Sequence, residues 1–330
     1  MRGLGSVPLA VPRQRVELDR ALGAALRGYA FLLPAMVVLL VFHFLPVFYA
    51  FYVSLFDWGI TAERFVGLDN YARLLRDPEF HAVLANTAWY ALGVVPSSLA
   101  VSLACALLLN RRLRGRSAYR LVYFLPYVTS TVAAAMVFRW IFQPRAGIAN
   151  QLMAALGLPA QRWFEEPRGL LHLLALPLGV ELPDWGGGPS LALVTFVLLT
   201  VWHALGFDTV VFLAGLTTVP PELHDAARVD GANRWQGFRY VILPLLTPTI
   251  MFLLVVSTIR AFQAFNWFFV VYQGTPIEQT RVITIYLYQN AFGYFKLGYA
   301  SAVGFVLFVI VLGLTLLQMA AMRRRVFYGE

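Results

Sequence analysis

Six long apolar runs constrain this chain more than any other feature. A bilayer has a hydrocarbon core about 30 Å thick, and a helix needs about 20 mostly apolar residues to cross it. Runs of that length occupy Ala30–Leu55, Thr87–Leu109, Leu121–Phe142, Leu191–Leu216, Leu245–Val271 and Tyr299–Ala321. Hydrocarbon offers no partner to backbone N–H and C=O groups, so each run should be helical. The sequence therefore predicts an all-α polytopic membrane protein with six transmembrane helices.

Composition agrees with a protein whose surface faces lipid. The chain is 59% hydrophobic and 13% charged, whereas soluble domains carry about 25% charged residues. Its net charge of +9 would suit a nucleic-acid partner if the cations formed one patch. They are distributed by topology instead, so we expect membrane lipid and no nucleic acid as a partner.

Basic residues give the orientation, because cytoplasmic loops of membrane proteins are enriched in Lys and Arg. Eight stand in the loops after the first, third and fifth runs. Sixteen stand in the terminal tails and in the loops after the second and fourth runs, namely Arg2, Arg13, Arg15, Arg20, Arg27, Arg111, Arg112, Arg114, Arg116, Arg120, Arg228, Arg234, Arg239, Arg323, Arg324 and Arg325. Both termini are therefore predicted to be cytoplasmic, as six spans require.

This topology divides the chain into three parts. A cytoplasmic tail covers residues 1–29, the six-span domain covers 30–322, and a second cytoplasmic tail covers 323–330. Glu17–Arg27 has the pattern of a short amphipathic helix, but a positively charged topogenic tail explains it better. The extracytoplasmic loop 143–189 is rich in Pro and Gly and is too short for a separate soluble domain. We expect a small lobe or an interfacial piece there.

The cytoplasmic loop 218–244 after the fourth run reads as two short helices. Pro221 and Glu222 suit a first helical turn, where a missing N–H costs nothing and a carboxylate meets the helix dipole. Gly231 suits the position that ends that helix. Asn233 and Gln236 form a capping box that starts the second helix.

The first of these helices, predicted over Glu222–Asp230, pairs small side chains with carboxylates. Ala226 and Ala227 stand beside Asp225 and Asp230. Small side chains allow another protein to approach closely, and carboxylates can pair with its basic groups. On this local pattern alone, a docking helix and a solvated connector fit equally well.

The same loop resembles the EAA motif of binding-protein-dependent ABC importer permeases. The matching residues are Asp225-Ala226-Ala227, Gly231, Val241, Leu243 and Pro244, with Asp225 standing where the family usually has glutamate. Further strings are similar to the maltose-type and glycerol-phosphate-type permeases of the carbohydrate-uptake branch. They include Phe65–Tyr71, Phe124-Leu125-Pro126 and Leu297–Ala302.

The resemblance implies a type I ABC importer permease fold in a bacterial or archaeal cytoplasmic membrane. It implies three partners: a second homologous permease, a homodimeric cytoplasmic ATPase and an external solute-binding protein. The residues implied to couple to the ATPase are Glu222, Asp225, Ala226, Ala227, Asp230, Gly231, Leu243 and Pro244.

The same likeness implies that this chain is not an enzyme. It would hold no catalytic residue and no cofactor, because ATP and Mg²⁺ would bind the partner ATPase. A phosphate-binding P-loop needs a lysine, and the single lysine, Lys296, lies in a loop predicted to be extracytoplasmic. The five histidines show no metal-ligand spacing, so no metal site is predicted.

Two charged residues within the spans are candidates for the solute path, since such groups are costly in a membrane. From the rise of 1.5 Å per residue, Asp208 lies about 12 Å and Arg260 about 23 Å from the cytoplasmic end of its span. A direct ion pair between them requires helix tilt or a long side-chain reach. They are predicted either to contact solute or to pair structurally.

The maltose-type family has its sugar site on the fourth, fifth and sixth spans. That site maps onto Leu205, Gly206 and Thr209 in the fourth span, onto Ser257, Arg260, Ala261 and Ala264 in the fifth, and close to Gln263 and Asn266. A di- or oligosaccharide is the favoured solute. Because Arg260 can bind a phosphate or carboxylate in a bidentate pair, glycerol phosphate or another anionic solute remains an alternative.

Two other classes of protein compete with the importer. An ion-driven secondary transporter predicts inverted repeats and several intramembrane carboxylates, and the sequence shows neither. A membrane scaffold would not need charged residues such as Asp208 and Arg260 in its spans.

Overall fold

Helices dominate the computed structural model, which describes residues 26, 28–60, 63–110, 115–176, 179–180 and 183–323. The predicted tails lie almost wholly outside these residues and stay predictions. An antiparallel hairpin of β1 (Phe56–Trp58) and β2 (Glu63–Phe65) is also present. The helices are α1 (Gly28–Ser54), α2 (Asp69–Arg76), α3 (Pro78–Leu109), α4 (Arg116–Val128), α5 (Thr131–Ile141), α6 (Ile148–Ala155), α7 (Leu170–Ala175), α8 (Leu191–Thr217), α9 (Pro221–Val229), α10 (Arg234–Gly237), α11 (Thr247–Phe262), α12 (Asn266–Tyr272), α13 (Ile283–Tyr288) and α14 (Leu297–Arg323).

Among the described residues, five helices are long and apolar enough to cross a membrane. They are α1, α3, α8, the pair α11 and α12 taken together over Thr247–Tyr272, and α14. The polytopic helical architecture is therefore confirmed. Helix α3 begins at Pro78, nine residues before the predicted start of the second span, because the Asp77 carboxylate caps it by accepting a hydrogen bond from the Glu79 N–H at 2.9 Å.

The third predicted span, Leu121–Phe142, is not a straight helix. It is two helices, α4 and α5, whose axes differ by 101° at the break between Val128 and Thr131. Thr129 is extended, and its hydroxyl donates to the carbonyl of Leu125 at 2.9 Å, which closes the end of α4. The described chain thus has six spans only if this bent pair counts as one.

Helix α1 belongs to a compact unit of its own, which ends at Val53. Its middle turn, Leu40–Phe44, is a π-helix and leads directly into Pro46. Proline lacks a backbone N–H and its ring collides with the preceding turn, so the widened turn accommodates it. The side chains from Gly28 to Tyr49 are exposed, as a lipid-facing helix requires.

The core of the second unit lies between α3, α8 and α11. At one end, called the lower end, Leu109, Leu216 and Leu246 meet in a buried cluster. At the opposite, upper end, Phe80 packs with Tyr286 and Tyr299. Helices α3 and α8 therefore run in the same direction, and both finish at the lower end.

Asp77 ties the upper end together. Its carboxylate accepts hydrogen bonds from the hydroxyls of Tyr286, at 2.6 Å, and Tyr299, at 2.8 Å. The Glu79 carboxylate pairs with Arg281 nearby. These contacts join the start of α3 to α13 and α14.

The predicted loop 143–189 forms a lobe built on short helices. The Asn150 amide, which is buried, donates to the carbonyls of Pro144 and Gln161, both at 2.8 Å. Its oxygen accepts from the Gln161 N–H at 3.0 Å and from the Trp163 indole at 2.8 Å. One side chain therefore holds three turns of the lobe.

An ion pair closes the far side of this lobe. The Arg168 guanidinium binds the buried Glu166 carboxylate through two hydrogen bonds, at 2.7 and 3.0 Å. These bonds hold the pKa of Glu166 below its ordinary value despite its burial. The stabilisation is therefore present above the ordinary glutamate pKa and is lost as the pH falls through the lowered one.

Replacing Asn150 should loosen the lobe while the bundle stays folded. Asn150→Ala removes four hydrogen bonds and leaves buried partners unpaired, a local cost of about 2–4 kcal/mol. Hydrogen exchange of residues 144–163 should accelerate. The control Gln151→Ala removes one exposed bond to the Ala146 carbonyl and should have little effect. Equal exchange rates in the two variants would contradict the role of Asn150.

Candidate functional site

The fifth span is interrupted at mid-length. Helix α11 ends at Phe262 and α12 begins at Asn266, so Gln263–Phe265 is not helical. The carbonyl of Ala264, freed from the helix, accepts a hydrogen bond from the Thr284 hydroxyl. Irregular backbone at membrane depth is tolerated where it is buried in protein or lines a cavity.

A cavity of about 320 Å³ opens beside this break. Thr200 on its wall is nine residues from the start of α8, or roughly 14 Å along a helix, so the cavity lies near the middle of the spans. Hydroxyls, amides, aromatic rings and one guanidinium share its surface. The lining residues are Tyr90, Val94, Ser98, Tyr127, Thr131, Thr200, His203, Ala204, Ser257, Arg260, Ala261, Gln263, Ala264, Phe265, Asn266 and Trp267.

The candidates predicted on the fifth span all reach this cavity. They are Ser257, Arg260, Ala261, Gln263, Ala264 and Asn266. The four predicted on the fourth span, Leu205, Gly206, Asp208 and Thr209, do not line it. Their contact with solute stays a prediction.

A different face of α8 meets the cavity. Thr200, His203 and Ala204 line it, and their spacing of three and four residues places them on one side of a helix. This polar stripe precedes the predicted residues by about one turn and was visible in the sequence. The contributions of Tyr90 and Ser98 from α3 carried no such signal, because they depend on how the helices pack.

Gly206 explains why the predicted face of α8 is covered. A Cβ atom added there would lie 2.9 Å from the Tyr123 carbonyl oxygen and 3.1 Å from the Phe124 Cα. The glycine thus lets α4 approach the backbone of α8 closely. Asp208 and Thr209, farther along α8, are also buried.

Asp208 and Arg260 form an ion pair, although the sequence puts them at different distances from the cytoplasmic ends of their spans. The Arg260 Nη1 lies 3.9 Å from the Asp208 Oδ1, so side-chain reach spans the difference. The Asp208 side chain is 1% exposed, whereas that of Arg260 is 44% exposed. The guanidinium also lies over the Phe207 ring, 4.5 Å from its centroid.

The loop after α8 folds as two capped helices. Gly231 has a φ of 75°. The Ala232 N–H donates to the Ala227 carbonyl at 2.9 Å, and the Gly231 N–H donates to the Arg228 carbonyl at 3.1 Å. These two bonds form a Schellman motif. Asn233 and Gln236 then form the predicted capping box, with bonds of 2.7 and 2.9 Å. The first helix runs one residue earlier than predicted, over Pro221–Val229.

This two-helix unit presents apolar side chains to its surroundings. Val229 is 87% exposed, Tyr240 70% and Trp235 65%. Among the described residues Asp225 pairs with Arg228 on the same helix, at 3.4 Å, and both are highly exposed. Of the other predicted coupling residues, Glu222, Ala226, Asp230 and Gly231 are exposed, while Ala227, Leu243 and Pro244 are half-buried.

A continuous route joins this unit to the cavity. A π-helical turn, Phe238–Ile242, follows α10 and leads through the short turn Leu243–Leu245 into α11. Leu246 then anchors α11 in the buried cluster at the lower end. Arg260 and Ala261 lie near the other end of the same helix.

Comparison with known proteins identifies the class that this architecture represents. Residues 98–327 match the family described as "Binding-protein-dependent transport system inner membrane component". The probable ABC transporter permease protein YesP of Bacillus subtilis is 35% identical over 298 residues, 88% of this chain and 89% of that protein. The arabinooligosaccharides transport system permease protein AraP of the same organism is 32% identical, with 88% and 87% covered.

A solved structure shares the fold. The structure of a bacterial ABC transporter involved in the import of the acidic polysaccharide alginate superposes with a TM-score of 0.73. The two sequences are 24% identical, and the match covers 93% of this chain and 99% of that one. The chain belongs to the family of binding-protein-dependent ABC transporter permeases, and it is a multi-pass membrane protein.

The buried ion pair predicts a strong coupling between two substitutions. Arg260→Gln leaves the buried Asp208 carboxylate without its counter-charge, and Asp208→Asn removes that penalty. In the double variant we expect a favourable interaction energy on the order of 1–3 kcal/mol. Thermal unfolding of the purified single and double variants measures it. Additive effects of the two substitutions would contradict the pair.

Proposed function

We propose that this chain is one of two permease subunits that form the pore of a saccharide importer. An external solute-binding protein would deliver the sugar, and a homodimeric cytoplasmic ATPase would supply the energy. The observation that carries the proposal is the cavity at the break in the fifth span. A relative whose name specifies arabinooligosaccharides adds support.

The chemistry of the cavity suits a di- or oligosaccharide. Sugars need dispersed hydrogen-bond partners and flat apolar surfaces for their C–H faces. Ser257, Gln263 and Asn266 provide the first, and Phe265 and Trp267 provide the second. Aromatic rings with a few well-placed polar groups are typical of small-molecule sites.

Energy would have to come from a partner. A phosphate-binding P-loop needs a lysine, and the single lysine, Lys296, directly precedes α14 at the upper end. ATP and Mg²⁺ would bind the ATPase, so this chain holds no catalytic residue and no cofactor in the proposal. In the proposal the lower end, which carries the loops after the second and fourth spans, faces the cytoplasm, and both termini are cytoplasmic; the arginine bias of the sequence supports this orientation.

Helix α9 would be the contact with the ATPase. The exposed Val229 on α9, together with Trp235 and Tyr240 that follow it in the chain, gives the contact an apolar surface to bury, and Asp225 gives it a charge for a basic partner. The Schellman motif and the capping box make the two helices a stiff unit. Closure of the ATPase would then move α11 and open the cavity alternately to the two sides of the membrane.

Reversing the charge at Asp225 should uncouple the importer. Asp225→Arg places two arginines one turn apart and removes the carboxylate offered to the ATPase. ATP-driven uptake by reconstituted vesicles should fall to background while membrane insertion is unchanged. The helix should stay folded, since its exposed pair with Arg228 contributes little.

Asp225→Glu is the matched control, because it keeps the charge and restores the residue usual in the family. It should transport at the wild-type rate. Wild-type uptake by a well-inserted Asp225→Arg variant would contradict the assignment of this helix.

A further inference from the structure

The cavity has one fixed charge on its surface. Among the described residues that line it, Arg260 is positive and no carboxylate is present. The other polar groups are hydroxyls, amides and the imidazole of His203. A solute in this cavity therefore meets a guanidinium together with neutral hydrogen-bonding groups.

The Asp208 carboxylate, which is the counter-charge of Arg260, does not line the cavity. The Asp208 carboxylate is 1% exposed, and neither of its oxygens has a hydrogen-bond partner in the described structure. At 3.9 Å its separation from Arg260 is longer than a charge-assisted hydrogen bond of about 2.8 Å. The five N–H donors of the guanidinium are thus left for another acceptor, while Asp208 and the Phe207 ring hold the group in place.

An anion in the cavity would be attracted by Arg260 and repelled by Asp208, and its distances to these two groups decide which effect is larger. Arg260 lines the cavity and Asp208 does not, so a carboxylate bound to the guanidinium from the cavity would lie nearer to it than to Asp208. Coulomb energy falls as the inverse of distance, so the attraction exceeds the repulsion at equal dielectric constant. The paired arginine therefore still favours an anion.

A second cavity continues the line toward the upper end. It has a volume of about 470 Å³ and carries Arg139 and Arg162 with one carboxylate, Glu165, which lies 4.0 Å from Arg162. Helix α12 reaches both cavities, with Trp267 in the first and Val271 in the second. Those residues are separated by about 6 Å along the helix, so the second cavity lies about one helical turn above the first.

We propose that the solute is an acidic saccharide, in which a sugar carboxylate forms a bidentate pair with Arg260. Ser257, Thr200 and Gln263 bind its hydroxyls, and Asp208 is a positioning residue that fixes the guanidinium. The inference rests on the proposed function and narrows it to one class of saccharide.

Equilibrium binding to the purified importer complex, without the solute-binding protein, tests the inference. The probes are a galacturonic acid disaccharide and its methyl ester, which has nearly the same shape but no charge. The wild type should bind the acid at least 10-fold more tightly than the ester. Arg260→Gln should abolish that preference, whereas Arg260→Lys should keep part of it.

Three further variants separate recognition from folding. Asp208→Asn removes the carboxylate that fixes the guanidinium and should weaken binding of the acid more than binding of the ester, which a purely structural role would not do. The double variant Asp208→Asn with Arg260→Gln has no buried unpaired charge and should bind both probes equally. Arg64→Gln on the exposed strand β2 removes a distant charge and should behave as the wild type.

The outcomes distinguish the two levels of the proposal. Equal affinities for acid and ester in the wild type, or a preference that survives Arg260→Gln, would overturn the acidic saccharide alone. Tighter binding of glycerol phosphate than of the sugar acid would also overturn it. Failure of the complex to bind either disaccharide, together with no ATP-driven uptake of any saccharide, would overturn the proposed function as well.

Discussion

The need to pair every backbone N–H and C=O group within the membrane governs this structure. Helices satisfy it along most of each span, so a break requires a local substitute. Near Thr129 both the backbone N–H and the hydroxyl of Thr129 donate to the carbonyl of Leu125, which closes the helix end. At Gln263–Phe265 the Thr284 hydroxyl donates to the freed carbonyl of Ala264. Residues next to both breaks, Tyr127 and Thr131 at the first and Asn266 at the second, line the same cavity. The two stretches of irregular backbone therefore both border the candidate site.

Asp208 and Arg260 form an ion pair between α8 and α11 within the described bundle. Burying a carboxylate with no hydrogen-bond donor is costly, and one cation at 3.9 Å offsets only part of that cost. The pair is longer than a charge-assisted hydrogen bond, so the Arg260 guanidinium can still bind a further acceptor. The same α11 that carries Arg260 begins beside the exposed two-helix unit, so its two ends face the solute and the proposed ATPase.

Much of the fold followed from the sequence, since long apolar runs, prolines, glycines and caps act locally. The runs predicted the spans, and Gly231 with Asn233 predicted the two-helix unit to within one residue. The 101° bend in the third run was not predicted. Pro126 and the polar residues Thr129–Thr131 mark its place in the sequence, but its angle depends on packing against α8. Helix packing also decides which candidates line the cavity. Those of the fifth span do, whereas Gly206 lies against α4 and Asp208 is buried in the core. Their one-turn displacement from Thr200 and His203 depends on helix rotation, which the spacing of a few polar residues in a mostly apolar span does not fix.

The central claim is that ATP hydrolysis in a partner, transmitted through α9 and α11, drives a solute through the cavity. Uptake of labelled saccharide by proteoliposomes containing this chain, the second permease and the solute-binding protein tests it most directly, with and without the ATPase. The account predicts accumulation only when the ATPase and ATP are both present, with no imposed ion gradient. Accumulation driven by an ion gradient in vesicles that lack the ATPase would contradict it.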